Sequence, residues 1–140
     1  MKTIFFMSMV PPTVTAQEKK LTTIHGKPFM YDSAEIKDAK SKFIAYLSKH
    51  KPAQPYTSAV QLVVKWCFPI KDKKHLNGDY KITKPDTDNL QKLLKDCMTK
   101  LGFWKDDALV CSEIIEKFWS DIPGIFIRIE ELPKNGCSTS

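Results

Sequence analysis

A short segment in the second half of the chain combines carboxylates and an amine at regular spacing. Asp86 and Asp88 are two residues apart, and Lys92 follows Asp88 by four residues. Pro85 favours an extended conformation for Lys84, and if that conformation continues through Asp88, the two carboxylates lie on one side of the backbone. Two carboxylates held together repel each other, and a divalent cation relieves that repulsion.

Mg²⁺ is the cation that this donor set favours, because it takes a few hard oxygen ligands and completes its shell with water or substrate phosphate. Asp88 is predicted at a helix start, where backbone N–H groups favour anions. Lys92 then shares its helical face and is placed to contact a phosphate. The alternative is an ordinary helix terminus with Asp88 as its N-cap, Asp86 in a loop and Lys92 in solvent, and an isolated Asp-x-Asp pair favours that alternative.

The elements that position these residues follow from hydrophobic periodicity and turn residues. We predict strands over 3–10, 60–68, 109–119 and 124–132, a small hairpin from 21–24 and 28–31, and helices over 33–48 and 89–101. Because strands and helices neither alternate strictly nor segregate, the predicted fold class is α+β, a small mixed β-sheet covered by two main helices.

Both helices carry end signals and an apolar face. Asp32 and Glu35 form a predicted capping box for the first helix, Asp88 with Gln91 does the same for the second, and Gly102 ends the second. The apolar positions are Ile36, Ala39, Phe43, Tyr46 and Leu47 in the first helix and Leu90, Leu93, Leu94, Cys97, Met98 and Leu101 in the second.

The composition limits the class of protein. With 140 residues, 42% hydrophobic and 27% charged, the chain suits one packed domain, which we place at 1–132 with a flexible tail at 133–140. The apolar stretches are too short for a membrane span. The four cysteines have no close pair for zinc, so we expect free thiols in a reducing compartment and a cytoplasmic location.

The charge balance favours a polyanionic partner. Lysine and arginine total 22 against 16 acidic residues, a net charge of +6. The long loop over 71–84 holds five lysines and two aspartates, and a loop of this length in a small domain is usually functional or mobile. The predicted DNA-phosphate contacts are Lys71, Lys73, Lys74, Lys81 and Lys84. An ordinary solvated surface is the alternative for each of them.

The full acidic pattern resembles a known family. Asp86-Thr87-Asp88-Asn89, Lys92, an amphipathic helix, the aromatic pair Phe103-Trp104 and then Asp106-Asp107 are similar to the RusA-type Holliday junction resolvases. The match is close over 84–107, and the N-terminal half agrees in general layout, through 9–12 and the long strand before the basic loop.

This resemblance implies a homodimeric, Mg²⁺-dependent endodeoxyribonuclease that cuts four-way DNA junctions by paired incisions in recombination or repair. It implies that Asp86, Asp88 and Asp107 bind the metal, for which Mn²⁺ is an acceptable substitute, and that Lys92 lies near the phosphate. Asp106 belongs to the same acidic pair and is supported less strongly as a ligand. No membrane or small-molecule cofactor is implied, and a cellular genome, phage or prophage is an equally suitable source.

Two other classes compete with this interpretation. A catalytically silent DNA-binding protein of the same fold keeps the basic surface, but carboxylates without a catalytic role would only repel DNA. A sugar-nucleotide transferase also uses Asp-x-Asp with a metal, yet its usual nucleotide-binding domain does not fit comfortably in this length.

The spacing of the acidic groups raises a question about the site. A helix over 89–101 is about 20 Å long, so Asp107 is predicted to emerge far from Asp86 and Asp88. We therefore expect a composite site in which Asp107 serves the partner subunit of a dimer.

Overall fold

The computed structural model describes residues 1–13, 19–24 and 27–137. Its strands and helices follow one another as β1 Lys2–Met7, β2 Lys19–Ile24, β3 Lys27–Asp32, α1 Ala34–Ser48, β4 Val60–Pro69, α2 Thr87–Leu101, β5 Val110–Ser120 and β6 Gly124–Glu131. A 3₁₀ turn over Asp107–Leu109 precedes β5. The predicted elements are therefore confirmed in number and kind, with ends that move by a few residues.

The main sheet has four strands in the order β1–β6–β4–β5. β4 runs parallel to β5, whereas β6 is antiparallel to both β1 and β4, so the predicted mixed sheet is confirmed. The predicted hairpin is the separate antiparallel pair β2–β3. His25, at the predicted tip of that hairpin, lies outside the described residues.

One face of the sheet forms the core against the two helices. The alternating residues of β4 are all buried there, at 0–3% exposure: Val60, Leu62, Val64, Trp66 and Phe68. The helical faces predicted to pack on them are buried as well, through Ile36, Ala39, Phe43 and Leu47 of α1 and Leu90, Leu93, Leu94, Cys97 and Met98 of α2. Burial of each large apolar side chain contributes about 1.5–3 kcal/mol, so this layer holds α2 in place.

The helix starts differ from the predicted ones. Ser33, not Asp32, caps α1, because its Oγ accepts a hydrogen bond from the Ile36 N–H at 3.2 Å. α2 begins at Thr87, so its N-cap residue is Asp86 and not Asp88. Gly102 ends α2 as predicted, with a φ of 82°. Among the described residues, no helix is long and apolar enough to cross a membrane.

The basic loop between β4 and α2 is attached to the edge of β5. The Lys81 N–H donates to the Lys117 carbonyl at 3.0 Å, and the Trp119 N–H donates to the Asp79 carbonyl at 2.8 Å. Gly78 donates back to the Trp119 carbonyl at 2.8 Å. These bonds cover the end of the edge strand and bring the loop to the start of α2.

Candidate active site

A cavity of about 270 Å³ lies between α2 and the first half of β5. Its walls are formed by Asp88, Gln91, Lys92, Lys95, Asp96, Asp107, Glu113 and Ile115. The helical wall follows from spacing, since residues three, four and seven positions after Asp88 share its face. The strand wall follows from register, since Glu113 and Ile115 pair with the core-facing Leu62 and Val64 of β4. The structure thus brings Asp88, Lys92 and Asp107 together.

Asp107 reaches this cavity because the chain reverses sharply after α2. Gly102 adopts a left-handed conformation, and Phe103 and Trp104 then enter the core at 0% and 1% exposure. Tyr56 secures the reversal: its N–H donates to the Phe103 carbonyl at 2.9 Å, and the Lys105 N–H donates to its carbonyl at 3.2 Å. The burial of both rings anchors the reversal in the core. The prediction that Asp107 lies apart from Asp88 within one chain is wrong, because both line the same cavity.

Asp86 and Asp106 lie outside the lining of the cavity. Asp86 pairs with the Lys84 ammonium at 3.0 Å, while Asp106 caps the 3₁₀ turn by accepting the Ala108 N–H at 2.9 Å. The extended backbone expected through Asp88 is not observed, because α2 begins at Thr87 and Asp88 belongs to its first turn. Within the described ranges, no three His, Cys, Asp or Glu side chains are close enough to hold a metal ion.

The charge of the cavity suits a divalent cation. Its walls carry four carboxylates and two ammonium groups. The Lys95 ammonium and the Glu113 carboxylate pair with each other at 2.7 Å, with their side chains only 20% and 26% exposed. Asp88, Asp96 and Asp107 then outnumber Lys92, and their hard oxygens fit Mg²⁺, which needs few protein ligands.

Two lysines hold the backbone that leads into α2. Lys117 Nζ donates to the carbonyls of Thr83 and Pro85 at 2.7 and 2.8 Å. Lys81 Nζ donates to the Thr83 carbonyl at 3.3 Å, to the Thr83 hydroxyl at 2.6 Å and to the Lys84 carbonyl. Burial, assisted by repulsion from neighbouring lysines, lowers the pKa of both ammonium groups, although Asp86 opposes this for Lys117. The ammonium groups of Lys81 and Lys117 therefore fix the backbone that leads from the basic loop into α2.

Lys81 has a different role from the predicted DNA contact. It is only 7% exposed, and its ammonium lies about 5 Å from the ring centroids of Phe68 and Trp119. Its three N–H donors are engaged by Thr83 and Lys84. Lys81 therefore stabilises the conformation of the basic loop from its buried side. The other four predicted phosphate contacts, Lys71, Lys73, Lys74 and Lys84, are exposed.

Lys117→Met is expected to loosen the entry to α2. Methionine keeps the apolar stem of the side chain but loses the two hydrogen bonds to Thr83 and Pro85, so we expect the free energy of unfolding to fall by about 1–2 kcal/mol. DNA cleavage should fall about tenfold because the start of α2 is less precisely placed. Urea unfolding and single-turnover rates measure the two effects. Lys134→Met, at an exposed lysine after β6, removes the same charge and should change neither.

Several residues of the cavity escaped the sequence analysis. Gln91 and Lys95 are detectable from the sequence, because they lie three and seven residues after Asp88 on a predicted helix. Glu113 in the cavity has no local signal, and neither has Lys117 beside the entry to α2, since their positions depend on how β5 lies against α2.

Comparisons with known proteins agree with this layout. The family described as "Endodeoxyribonuclease RusA" matches residues 10–130. A "Crossover junction endodeoxyribonuclease rusA" from Lactococcus phage r1t is 34% identical over 112 residues, which cover 79% of this chain and 83% of the relative. The "Uncharacterized protein YqaN" of Bacillus subtilis (strain 168) is 31% identical over 118 residues, covering 77% of this chain and 82% of the relative.

Proposed function

The chain belongs to the RusA family of endodeoxyribonucleases, and we propose that it resolves four-way DNA junctions by paired, Mg²⁺-dependent hydrolysis of phosphodiester bonds. The observation that carries this proposal is the cavity that Asp88, Lys92 and Asp107 line together. A phosphate diester bound there meets the Lys92 ammonium and the Asp88 and Asp107 carboxylates, which are able to hold a cation.

Each residue of the cavity has a distinct task in this proposal. Asp88 and Asp107 hold Mg²⁺, for which Mn²⁺ substitutes, and Asp86 and Asp106 contribute to the acidic surroundings. When bound, the ion supplies an activated water and neutralises charge on the phosphate. Lys92, which has no ion-pair partner within the described part of the chain, donates to the scissile phosphate and stabilises the charge that develops there. The Lys95 ammonium is paired with Glu113, so it is not assigned a contact with the scissile phosphate.

A homodimer is part of the proposal, because paired incisions need two sites related by the two-fold symmetry of the junction. The sheet face opposite the helices supports this. It exposes large apolar side chains, with Ile4 at 53%, Phe6 at 38% and Ile114 at 44%. A second copy of the chain covers such a face better than water does. Light scattering of the free protein should therefore give twice the mass of one chain.

Lys73→Ala combined with Lys74→Ala is expected to weaken binding to every DNA form. Both side chains are exposed on the basic loop, so they contact phosphates without reading bases. Loss of two phosphate contacts should reduce the slope of log affinity against log salt by about two. Filter binding at a series of salt concentrations from low to moderate measures this slope. Lys134→Ala, at an exposed lysine after β6, is the control. An unchanged slope in the double variant would mean that the basic loop does not contact DNA.

The proposal is tested by cleavage of an end-labelled four-way junction beside a linear duplex of the same sequence. We expect symmetric nicks in the junction alone, with Mg²⁺ or Mn²⁺ and not with EDTA. Binding without cleavage under either metal would favour the silent DNA-binding protein instead. The same proposal places the protein on DNA in the cytoplasm, and the phage relative agrees with a phage or prophage source.

A further inference from the structure

Gln91 is a buried polar residue in the wall of the active-site cavity. It lies one turn after Asp88 on α2, with 3% of its surface exposed. Its Oε1 accepts a hydrogen bond from the Trp66 indole Nε1 at 3.3 Å. Its Nε2 is buried and has no hydrogen-bond partner among the described residues. An amide with one end satisfied and the other unpaired requires an explanation, because buried donors are nearly always bonded.

Trp66 determines which end of the amide remains available. The indole nitrogen is a donor and cannot accept a hydrogen bond, so the oxygen of Gln91 must face it. The NH₂ group is therefore directed away from Trp66, and both of its hydrogens remain for another acceptor. Trp66 is itself fully buried on β4, so this orientation is held by the core.

We propose that the Gln91 side-chain NH₂ donates a hydrogen bond to a non-bridging oxygen of the scissile phosphate. This inference rests on the proposed function, since it assigns a further catalytic residue to the same site. Gln91 is adjacent in sequence to Lys92, and both line the cavity with Asp88. A neutral donor suits this position, because it binds a phosphate oxygen without the desolvation cost of a second cation. Its orientation is set before the substrate arrives, which makes such a donor effective in catalysis.

Two substitutions test this role. Gln91→Glu keeps an oxygen for Trp66 and removes the donor, while Gln91→Met removes the donor without adding charge. For both we expect the single-turnover rate on a four-way junction to fall about 100-fold. Junction affinity in EDTA should change less than about threefold. Burial of a carboxylate in Gln91→Glu and loss of the acceptor for Trp66 in Gln91→Met both lower the melting temperature, so the rates are measured well below it. Gln54→Glu, in the exposed loop before Tyr56, is the matched control.

Sulphur substitution at the scissile phosphate distinguishes this contact from a purely structural role. Sulphur is a poor hydrogen-bond acceptor, and Mn²⁺ tolerates sulphur as a ligand better than Mg²⁺ does. In Mn²⁺ the phosphorothioate isomer whose sulphur faces Gln91 should therefore be cut more slowly by the wild type. That difference between isomers should shrink in both Gln91 variants, because the contact is already absent. Slower cleavage with the isomer difference unchanged would overturn the proposal, as would wild-type rates in both variants. A wild-type protein that binds but does not cut junctions would overturn the proposed function itself.

Discussion

Asp88→Asn is expected to reduce junction cleavage about a thousandfold, which corresponds to ~4 kcal/mol of transition-state stabilisation. Asp88 lines the cavity from the first turn of α2, four residues before Lys92. Asparagine keeps the shape of the side chain but loses the charge that a divalent cation requires. Single-turnover cleavage of a labelled junction in Mg²⁺ measures the loss.

Binding of the junction should survive this substitution. The contacts proposed to hold the DNA backbone come from exposed lysines of the basic loop, outside the cavity, and removal of a negative charge near DNA does not weaken them. Affinity measured in EDTA should therefore equal or exceed that of the wild type. Asp38→Asn on α1 is the matched control, since that exposed carboxylate lies outside the cavity and pairs with Lys42 across one turn at 3.2 Å. Cleavage by Asp88→Asn within tenfold of the wild type would contradict a metal-binding role for Asp88.

Hydrophobic periodicity predicted the strands and helices well, because the spacing of apolar residues along one element determines which of its faces is buried. The alternation along β4 and the apolar stripe of α2 each identified the buried face, and Gly102 identified the end of α2. These signals depend on residues within a few positions of one another.

The helix starts were harder to predict because two residues with good N-cap side chains lie near each of them. Asp32 and Ser33 are both good N-caps, as are Asp86 and Asp88. A shift of two residues places Asp88 inside α2 and turns Asp86 toward Lys84. Register errors of this size leave the fold intact but change which side chains share a cavity.

Contacts between distant segments account for the rest of what the sequence could not predict. Glu113 pairs with Lys95, and Lys117 holds the carbonyls of Thr83 and Pro85. Both depend on β5 returning along α2 after the reversal at Gly102. The predicted length of α2 was nearly right. Asp107 was nevertheless predicted to lie far from Asp88, because neither the return of β5 along α2 nor the length of the cavity along the helix was considered.

A mixture of Asp88→Asn and Asp107→Asn chains is expected to remain inactive. Since Asp88 and Asp107 line one cavity of one chain, every chain in the mixture lacks one residue of its own site. A site shared between subunits would behave differently. Half of the dimers in an equal mixture would then carry one intact site, and nicking would return to about a quarter of the wild-type level.

Exchange of subunits in this experiment is verified with a mixture of wild-type and Asp88→Asn chains. Their mixed dimers have one working site, so junctions should be nicked once rather than cut on two opposed strands. If that control shows single nicks while the doubly defective mixture stays below about one hundredth of wild-type activity, each subunit contains a complete site. Recovery toward a quarter would instead mean that Asp107 acts across the dimer, and that the cavity within one chain is not the catalytic unit.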